Sequence, residues 1–395
     1  MKIGIANGPS WTAGGVEVYL GALIPELQRL GHEVLVGYES TSRKPAYWPR
    51  SVASYDLSKP GKEGRDGYLN KIDLHYVHGL KLLESWDALL ADAPCVYFAH
   101  DYQATCISGS KRHRLLGAGP CCRKMGAACL LHFYPRRCGG LNPVTLLRDY
   151  RQKSSVLERI RACRVVLTHS LQMEQELKRN LPEASIRRIP FCLPDLPGTH
   201  LVRKQDDRDV ILFLGRFEAD KGADLLIRAV AGLPAAGHNP VLVLAGEGRQ
   251  KPRLTEMASD IRAHGVDVEF PGWIDGDPKE AAFARASVFA MPSLWPEPLG
   301  MAPLEALCRG VPVAGFPGGY AEHVTNGFNG RIATERSAAA LTMALDECLR
   351  DPAYRTHAQE QAPVLRDQLS TKAHAGQLAS LLELVAKPWQ DGGRT

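Results

Sequence analysis

No apolar run in the 395-residue chain approaches the ~20 residues a membrane-spanning helix needs, so the sequence offers no candidate for one. The N-terminal MKIGIANGPS lacks the long apolar region of a signal peptide and runs straight into structure. The expectation is therefore a cytoplasmic protein, in a compartment where thiols stay reduced. The first glycine-rich loop, NGPSWTAGGVE, does not supply G-x-G-x-x-G after a strand, which argues against a dinucleotide oxidoreductase. No C-x2-C pair occurs among Cys106, Cys121, Cys122, Cys129 and Cys138, so the usual zinc signature is missing. Acids are scarce between Lys111 and Arg164, where only Asp149 and Glu158 stand among many Lys and Arg. Such a stretch is ordinarily a solvated face. It is also able to hold a protein near anionic lipid, which attracts each nearby Lys or Arg by ~1 kcal/mol. No strongly apolar helix face accompanies the charges in the sequence, which favours the solvated face.

What is present reads as two α/β domains. Hydrophobic residues make up 45% and charged residues 23%, ordinary values for a soluble globular enzyme, and the length suits two domains. KIGIA is a short apolar run followed by the glycine loop. Val16, Leu20, Leu23, Ile24, Leu27 and Leu30 then recur at helical spacing, Gly31 closes the helix, and EVLVGY begins a second strand. Further strands are expected at IDLHYVHG, APCVYFAH, CRVVLTHS and IRRIPFC. The pattern restarts with DVILFLGRF, PVLVLAGEG, VDVEFPGWI, SVFAMPS and VPVAGFPGG. Strands alternating with helices imply parallel sheets covered on both faces, and residues that directly follow a strand are placed for chemistry. The expected division is a domain over 1–192 with a cysteine-rich insertion at 103–141, a linker over 193–208 and a second domain over 209–370. A C-terminal helix and tail over 371–395 are expected to cross back to the first domain.

The second half carries the sharpest constellation. LGRFEADKG sets Arg216 past a strand end and Lys221 at the start of the next helix. Two cations flanking a helix N-terminus suit a diphosphate, because point charges and free backbone N–H groups converge there. The competing reading pairs them on the surface with Glu218 and Asp220. EPLGMAPLE adds Glu297 after a strand, and Gly300, whose freedom lets backbone approach a ligand. Pro303 is tolerable only in a first helical turn, which starts the helix near Gly300 or Met301. Glu305, a turn inside, is placed to accept two hydrogen bonds from a vicinal diol such as a ribose. His100 closes the strand APCVYFAH, where a strand-end packing role competes with a role in a site. His78 in YVHG reads as structural. Asp275 to Asp277 form DGD, formally a metal-binding pattern, but a turn and helix cap is the simpler reading. Gly272 and Trp273 are candidates to lie near a nucleotide base.

Glu297 and Glu305 match the E-x7-E motif of retaining glycosyltransferases of the GT-B fold, and the chain resembles glycosyltransferase family 4. The resemblance extends over nearly the whole chain: GGVEVYLGALIPELQRLGHEV, DLHYVHG, LTHS, FLGRFEADKGADLLIRAV, LAGEG and PGGYAEHVTNGFNGRI each look like family segments, in the same order. It implies two Rossmann-like domains facing across a cleft. A UDP- or GDP-type sugar donor would be held mainly by the second domain, and a glycan, lipid or small-molecule acceptor mainly by the first. Residue by residue, it implies that Arg216 and Lys221 neutralise the donor diphosphate, that Glu305 binds the ribose, and that Glu297 contacts the transferred sugar. Amides around Leu299, Gly300 and Met301 would assist, Gly14 and Gly15 would let the first loop close over the phosphates, and His100 would lie near the sugar. It further implies retention by front-face displacement, with no metal required for catalysis.

The insertion departs from that pattern. Cys106, Cys121, Cys122, Cys129 and Cys138, with His113 and His132 beside them, leave three states open: a structural metal such as zinc, disulfides, or free thiols. Because the segment follows His100, acceptor choice is expected to reside there. Two readings outside catalysis stand beside the transferase: a silent sugar-nucleotide-binding protein, and a zinc-dependent nucleic-acid binder built on the cysteine-rich basic segment. The second leaves both α/β domains unexplained. A peripheral contact with the inner face of a membrane through the basic segment belongs to the same set of expectations.

Overall fold

The computed structural model describes every residue except 12–13, 41–45, 117, 194–195, 197–207 and 388–395. Most of the expected linker at 193–208 lies outside the described residues. The chain divides into two compact units, one of Met1–Pro194 with Gln368–Thr395 and one of Asp195–Asp367.

The first unit is built on β1 (Lys2–Pro9), β2 (Glu33–Ser40), β3 (Ala53–Asp56), β4 (Leu74–Val77) and β5 (Cys95–Phe98). A two-residue antiparallel pair, β6 (Arg112–His113) and β7 (Gly119–Pro120), stands apart, and β8 (Val165–Thr168) and β9 (Ile186–Arg188) complete the sheet. All seven strands of the sheet are parallel, in the order β3-β2-β1-β4-β5-β8-β9. The second unit contains β10 (Asp209–Leu214), β11 (Pro240–Ala245), β12 (Asp267–Gly272), β13 (Val288–Met291), β14 (Val313–Gly315) and β15 (Gly330–Ile332). They too are parallel, in the order β12-β11-β10-β13-β14-β15. Each sheet therefore reverses direction between its first and fourth strands, at β1/β4 and at β10/β13. Loops leaving the carboxyl ends there diverge and open a crevice, where ligands of such sheets bind.

The expected strands are present. The sequence reading missed β3, β6, β7 and β15, of two to four residues each. Elements this short carry too few apolar positions to show a period. The first helix, Gly15–Arg29, buries Tyr19, Leu20, Leu23, Ile24 and Leu27. Leu30, read as part of that stripe, is its C-cap and is exposed, because Gly31 in the left-handed region (φ 87°) already turns the chain away. In the second unit the core closes around Ile211, Phe213, Leu226, Leu242, Val288 and Phe316. The helix Thr371–Ala386 belongs to the first unit and buries His374, Leu378 and Leu382.

Candidate active site

In the second unit the loops after β10 and β13 are stitched together. The carbonyl of Asp220 accepts from the backbone N–H groups of Leu294 (2.8 Å) and Trp295 (3.1 Å). Gly222 makes this approach possible. It caps the helix Ala223–Val230 at φ 71°, and a Cβ there would stand 2.1 Å from the carbonyl oxygen of Pro292. Lys221 is thereby carried to Glu297: its Nζ lies 2.6 Å from Glu297 Oε1, which also accepts from Ser293 Oγ at 2.8 Å. Glu297 is only 5% exposed, and Lys221 Nζ sits 4.8 Å from the centre of the Trp295 ring. The carbonyl of Glu297 accepts from Gly319 N–H at 2.8 Å, which holds the loop after β14 against the same turn.

Sequence spacing did not reveal this contact between Lys221 and Glu297. The surface pairing with Glu218 and Asp220 is not what the lysine does: Glu218 faces Arg249 instead, at 3.4 Å. Arg216 is exposed and forms no ion pair among the described residues. Gly300 caps the helix Met301–Leu307 at φ 86°, Pro303 falls in its first turn, Leu299 is buried and Met301 exposed. Glu305, on the same helix, faces two cations, Lys279 Nζ at 3.3 Å and Arg309 Nη1 at 3.9 Å. Asp275 caps the helix Gly276–Arg285 by accepting from Gly276 N–H at 2.9 Å, as a turn would have it. Trp273 is 70% exposed beside Gly272, whose φ is 80°.

In the first unit, the crevice at β1/β4 opens into a cavity of about 890 Å³. Asn7, Glu17, His78, His100 and Asp101 line one side; Ile107, Phe133 and the helix Pro143–Arg161, through Leu146 and Lys153, line the other. Gly14 caps the first helix, and its N–H is held by Glu17 Oε2 at 2.8 Å, while Glu17 Oε1 accepts from Asn7 Nδ2 at 2.9 Å. Gly15 is the first helical residue. His100 Nε2 lies 2.9 Å from His78 Nδ1, so the two rings are hydrogen-bonded to each other. His169 donates from Nε2 to the His100 carbonyl (3.3 Å). Behind them Tyr19 joins Tyr76 (2.8 Å) and His374 Nε2 (2.7 Å), and His374 Nδ1 donates to the Pro190 carbonyl (2.6 Å). With Nδ1 carrying the proton, the neutral His374 accepts at Nε2 from the Tyr19 hydroxyl.

Burial holds these rings neutral. It lowers His100 well below the usual range, with His78, His169 and His374 adding repulsion, and brings His78 to about 3 and His169 and His374 to about 4. Asp101 accepts from Gln103 N–H at 2.7 Å, yet burial raises its carboxyl. Lys153 donates to Gln103 Oε1 (2.8 Å) and the Cys106 carbonyl (3.0 Å), and burial lowers it.

The five insertion cysteines are free thiols, as are the other five. Cys106, Cys121, Cys129 and Cys138 line a small cavity of about 30 Å³ together with His113 and His132, while Cys122 is exposed. Among the described residues no three His, Cys, Asp or Glu side chains are grouped to hold a metal ion, and the possible structural metal site at Cys106, Cys121, Cys122, Cys129 and Cys138 stays an expectation. Burial, with the neighbouring sulfurs, pushes the Cys138 thiol up to about 11. Other contacts anchor the insertion. Buried Lys111 meets buried Glu176 at 2.7 Å, and Met125 N–H donates to Asn180 Oδ1 at 2.8 Å.

Residues 202–364 match the family model described as "Glycosyl transferases group 1", and the match falls wholly within the second unit. The chain is 32% identical over 154 residues to an uncharacterized glycosyltransferase of Methanocaldococcus jannaschii, covering 39% of each chain. It is 37% identical over 153 residues to the GDP-mannose-dependent alpha-(1-6)-phosphatidylinositol monomannoside mannosyltransferase of Mycolicibacterium smegmatis, covering 37% of this chain and 40% of the other. It thus spans about two fifths of the length of these relatives. The crystal structure of HepE from Anabaena in complex with UDP superposes with a TM-score of 0.65 at 19% identity, over 97% of this chain and 100% of that one. The fold is GT-B. A doubly wound sheet in each unit is what that fold requires, and the matched family segment includes Arg216, Lys221, Glu297, Gly300 and Glu305.

Proposed function

We propose that the protein is a retaining glycosyltransferase of family 4, moving a sugar from a nucleotide-diphosphate donor to an acceptor hydroxyl without a metal ion. The observation that carries this reading is the Lys221–Glu297 contact beside the Gly300 turn, at the crevice of the second sheet and inside the segment that matches the group 1 model. In the free protein Glu297 holds Lys221 in place. A donor diphosphate would take over Lys221 and recruit the exposed Arg216, and Glu297 would turn to the sugar hydroxyls, assisted by amides around Leu299, Gly300 and Met301. Glu305, beside Lys279 and Arg309, would accept from the ribose diol. Gly14 and Gly15 keep the first loop slim enough for a phosphate to approach. The cavity that His100 lines would take a glycan, lipid or small-molecule acceptor.

The chemistry follows from where charge develops. As the bond from the anomeric carbon to the diphosphate oxygen breaks, negative charge grows on the leaving group, and fixed cations stabilise it most at that moment. The acceptor oxygen bonds on the same face, and its proton passes to the leaving phosphate oxygen, so no separate base is needed. Supporting the donor class, one related structure holds UDP and one relative is named for GDP-mannose. The reading is tested by donor turnover, monitored as nucleotide release from UDP- and GDP-sugars with a chelator present. Release that drops at least about 100-fold in Lys221→Ala, of the order seen on removing one stabilising group, is expected. Release that requires added metal, or is indifferent to Lys221, would overturn it.

A further inference from the structure

The basic stretch of the first unit carries apolar side chains that the sequence alone did not show as a face. Six large apolar residues between positions 115 and 147 are exposed: Leu115, Leu116, Leu131 (78%), Leu141, Val144 (76%) and Leu147. Two groups can be recognised. Leu115 and Leu116 are tied to Arg136, through Leu115 N–H to the Arg136 carbonyl (3.1 Å) and Arg136 Nη1 to the Leu116 carbonyl (3.2 Å), just beyond the helix Ala128–Phe133 that bears Leu131. The other group lies on the helix Pro143–Arg161. At 100° per residue, Val144, Leu147, Arg148 and Arg151 fall within one third of the helix circumference. Leu146 and Lys153, together on the opposite side of this helix, line the cavity. Its start is fixed by the Asn142 side chain, which accepts from Val144 and Thr145 N–H, and by Pro143, so this face is rigidly presented.

Exposed leucine and valine next to exposed arginine is unfavourable in water, since the apolar surface stays wet. Against a lipid surface both halves are satisfied, with apolar tips among the acyl chains and guanidinium groups at the phosphates. We propose that this face, centred on Val144, Leu147, Arg148 and Arg151, docks the first unit onto an anionic lipid bilayer. The charge decides the occupant: Asp149 and Glu158 are the acids of residues 111–164, and exposed Arg114, Arg123, Lys124 and Arg137 add to the same sign. Docking brings a bilayer to the helix that walls the cavity, so a lipid-borne acceptor would reach it without leaving the membrane. That last step rests on the transferase reading; the docking itself does not.

The test is co-sedimentation of the full chain at low salt with vesicles of phosphatidylcholine alone and with added phosphatidylglycerol. Binding to the anionic vesicles, at least tenfold weaker to the neutral ones and at least tenfold weaker for Val144→Asp/Leu147→Asp, is expected. Arg148→Glu/Arg151→Glu, which leaves the apolar residues intact, should weaken binding as well. All four side chains are exposed, and the pair Arg148 makes with Asp149 at 3.1 Å is a surface one, so thermal midpoints should change little, and nucleotide release without acceptor should match the parent chain. Equal binding to both vesicle types, no binding, or a dimer in light scattering that the Val144→Asp/Leu147→Asp variant abolishes would overturn the proposal, the last by showing that a second copy covers the face.

Discussion

At the scale of single residues the proposed chemistry rests on Lys221 and Glu297, each of which depends on the other for its position. Glu297 is buried, and its carboxylate would face a cavity if the lysine were shortened. Breaking one side of a buried pair costs up to about 3–5 kcal/mol, so Lys221→Ala should lower stability as well as activity. Glu297→Gln keeps the shape and a hydrogen bond, and should lose far more activity than stability. A urea titration beside a nucleotide-release assay separates the two effects. Tyr19→Phe is a second residue-level case. It removes the donor to His374 Nε2 and the acceptor of Tyr76, leaving buried polar atoms unpaired, and should cost about 1–3 kcal/mol by the same titration. The sequence singled out Glu297, Gly300 and Glu305 because their spacing matches the E-x7-E motif of the resembled family. It did not show Tyr19, His374 or Ser293, whose roles depend on partners distant in sequence.

Secondary-structure elements explain which parts could be read in advance. Long strands and amphipathic helices, such as β1 with Gly15–Arg29, announce themselves through period and glycine punctuation. The insertion after His100 does not: its strands have two residues each, and its attachment runs through Lys111 and Glu176, 65 positions apart and joined at 2.7 Å. Its cysteines drew attention as ligands, while the salt bridge that anchors it carried no sequence signal. Lys111→Ala should therefore destabilise the first unit by up to about 3–5 kcal/mol, whereas Cys122→Ser should be silent, as measured by thermal melting. Gly222 is a similar case in the second unit. Its positive φ and the nearby Pro292 carbonyl make Gly222→Ala strained twice over, and a loss of at least about 1–2 kcal/mol is expected.

Considered whole, the molecule should respond to pH through its histidines and to nucleotides through its second unit. His78, His100, His169 and His374 are neutral when folded and regain ordinary values near 6.5 when unfolded. Below 6.5 the unfolded chain therefore binds more protons, so their contribution is fully present above that pH and is lost progressively as pH falls, toward about 4 for His169 and His374 and toward about 3 for His78. The melting temperature should fall across that window, less steeply in His374→Gln. The fold class was legible because alternating strands and helices allow few arrangements; the docking face was not, since exposure of Val144 and Leu147 is decided by tertiary packing. The central claim is that Arg216, Lys221, Glu297 and Glu305 form a nucleotide-sugar site. Its most direct test is thermal shift with UDP, GDP, ADP and CDP in the presence of a chelator, on the parent chain and on Glu305→Ala. A nucleotide at 100 times its dissociation constant stabilises by about 2.7 kcal/mol, and losing the ribose contact should weaken binding by about 1–3 kcal/mol. The account predicts stabilisation by UDP or GDP that Glu305→Ala diminishes; no shift with any nucleotide, or a shift that Glu305→Ala leaves intact, would contradict it.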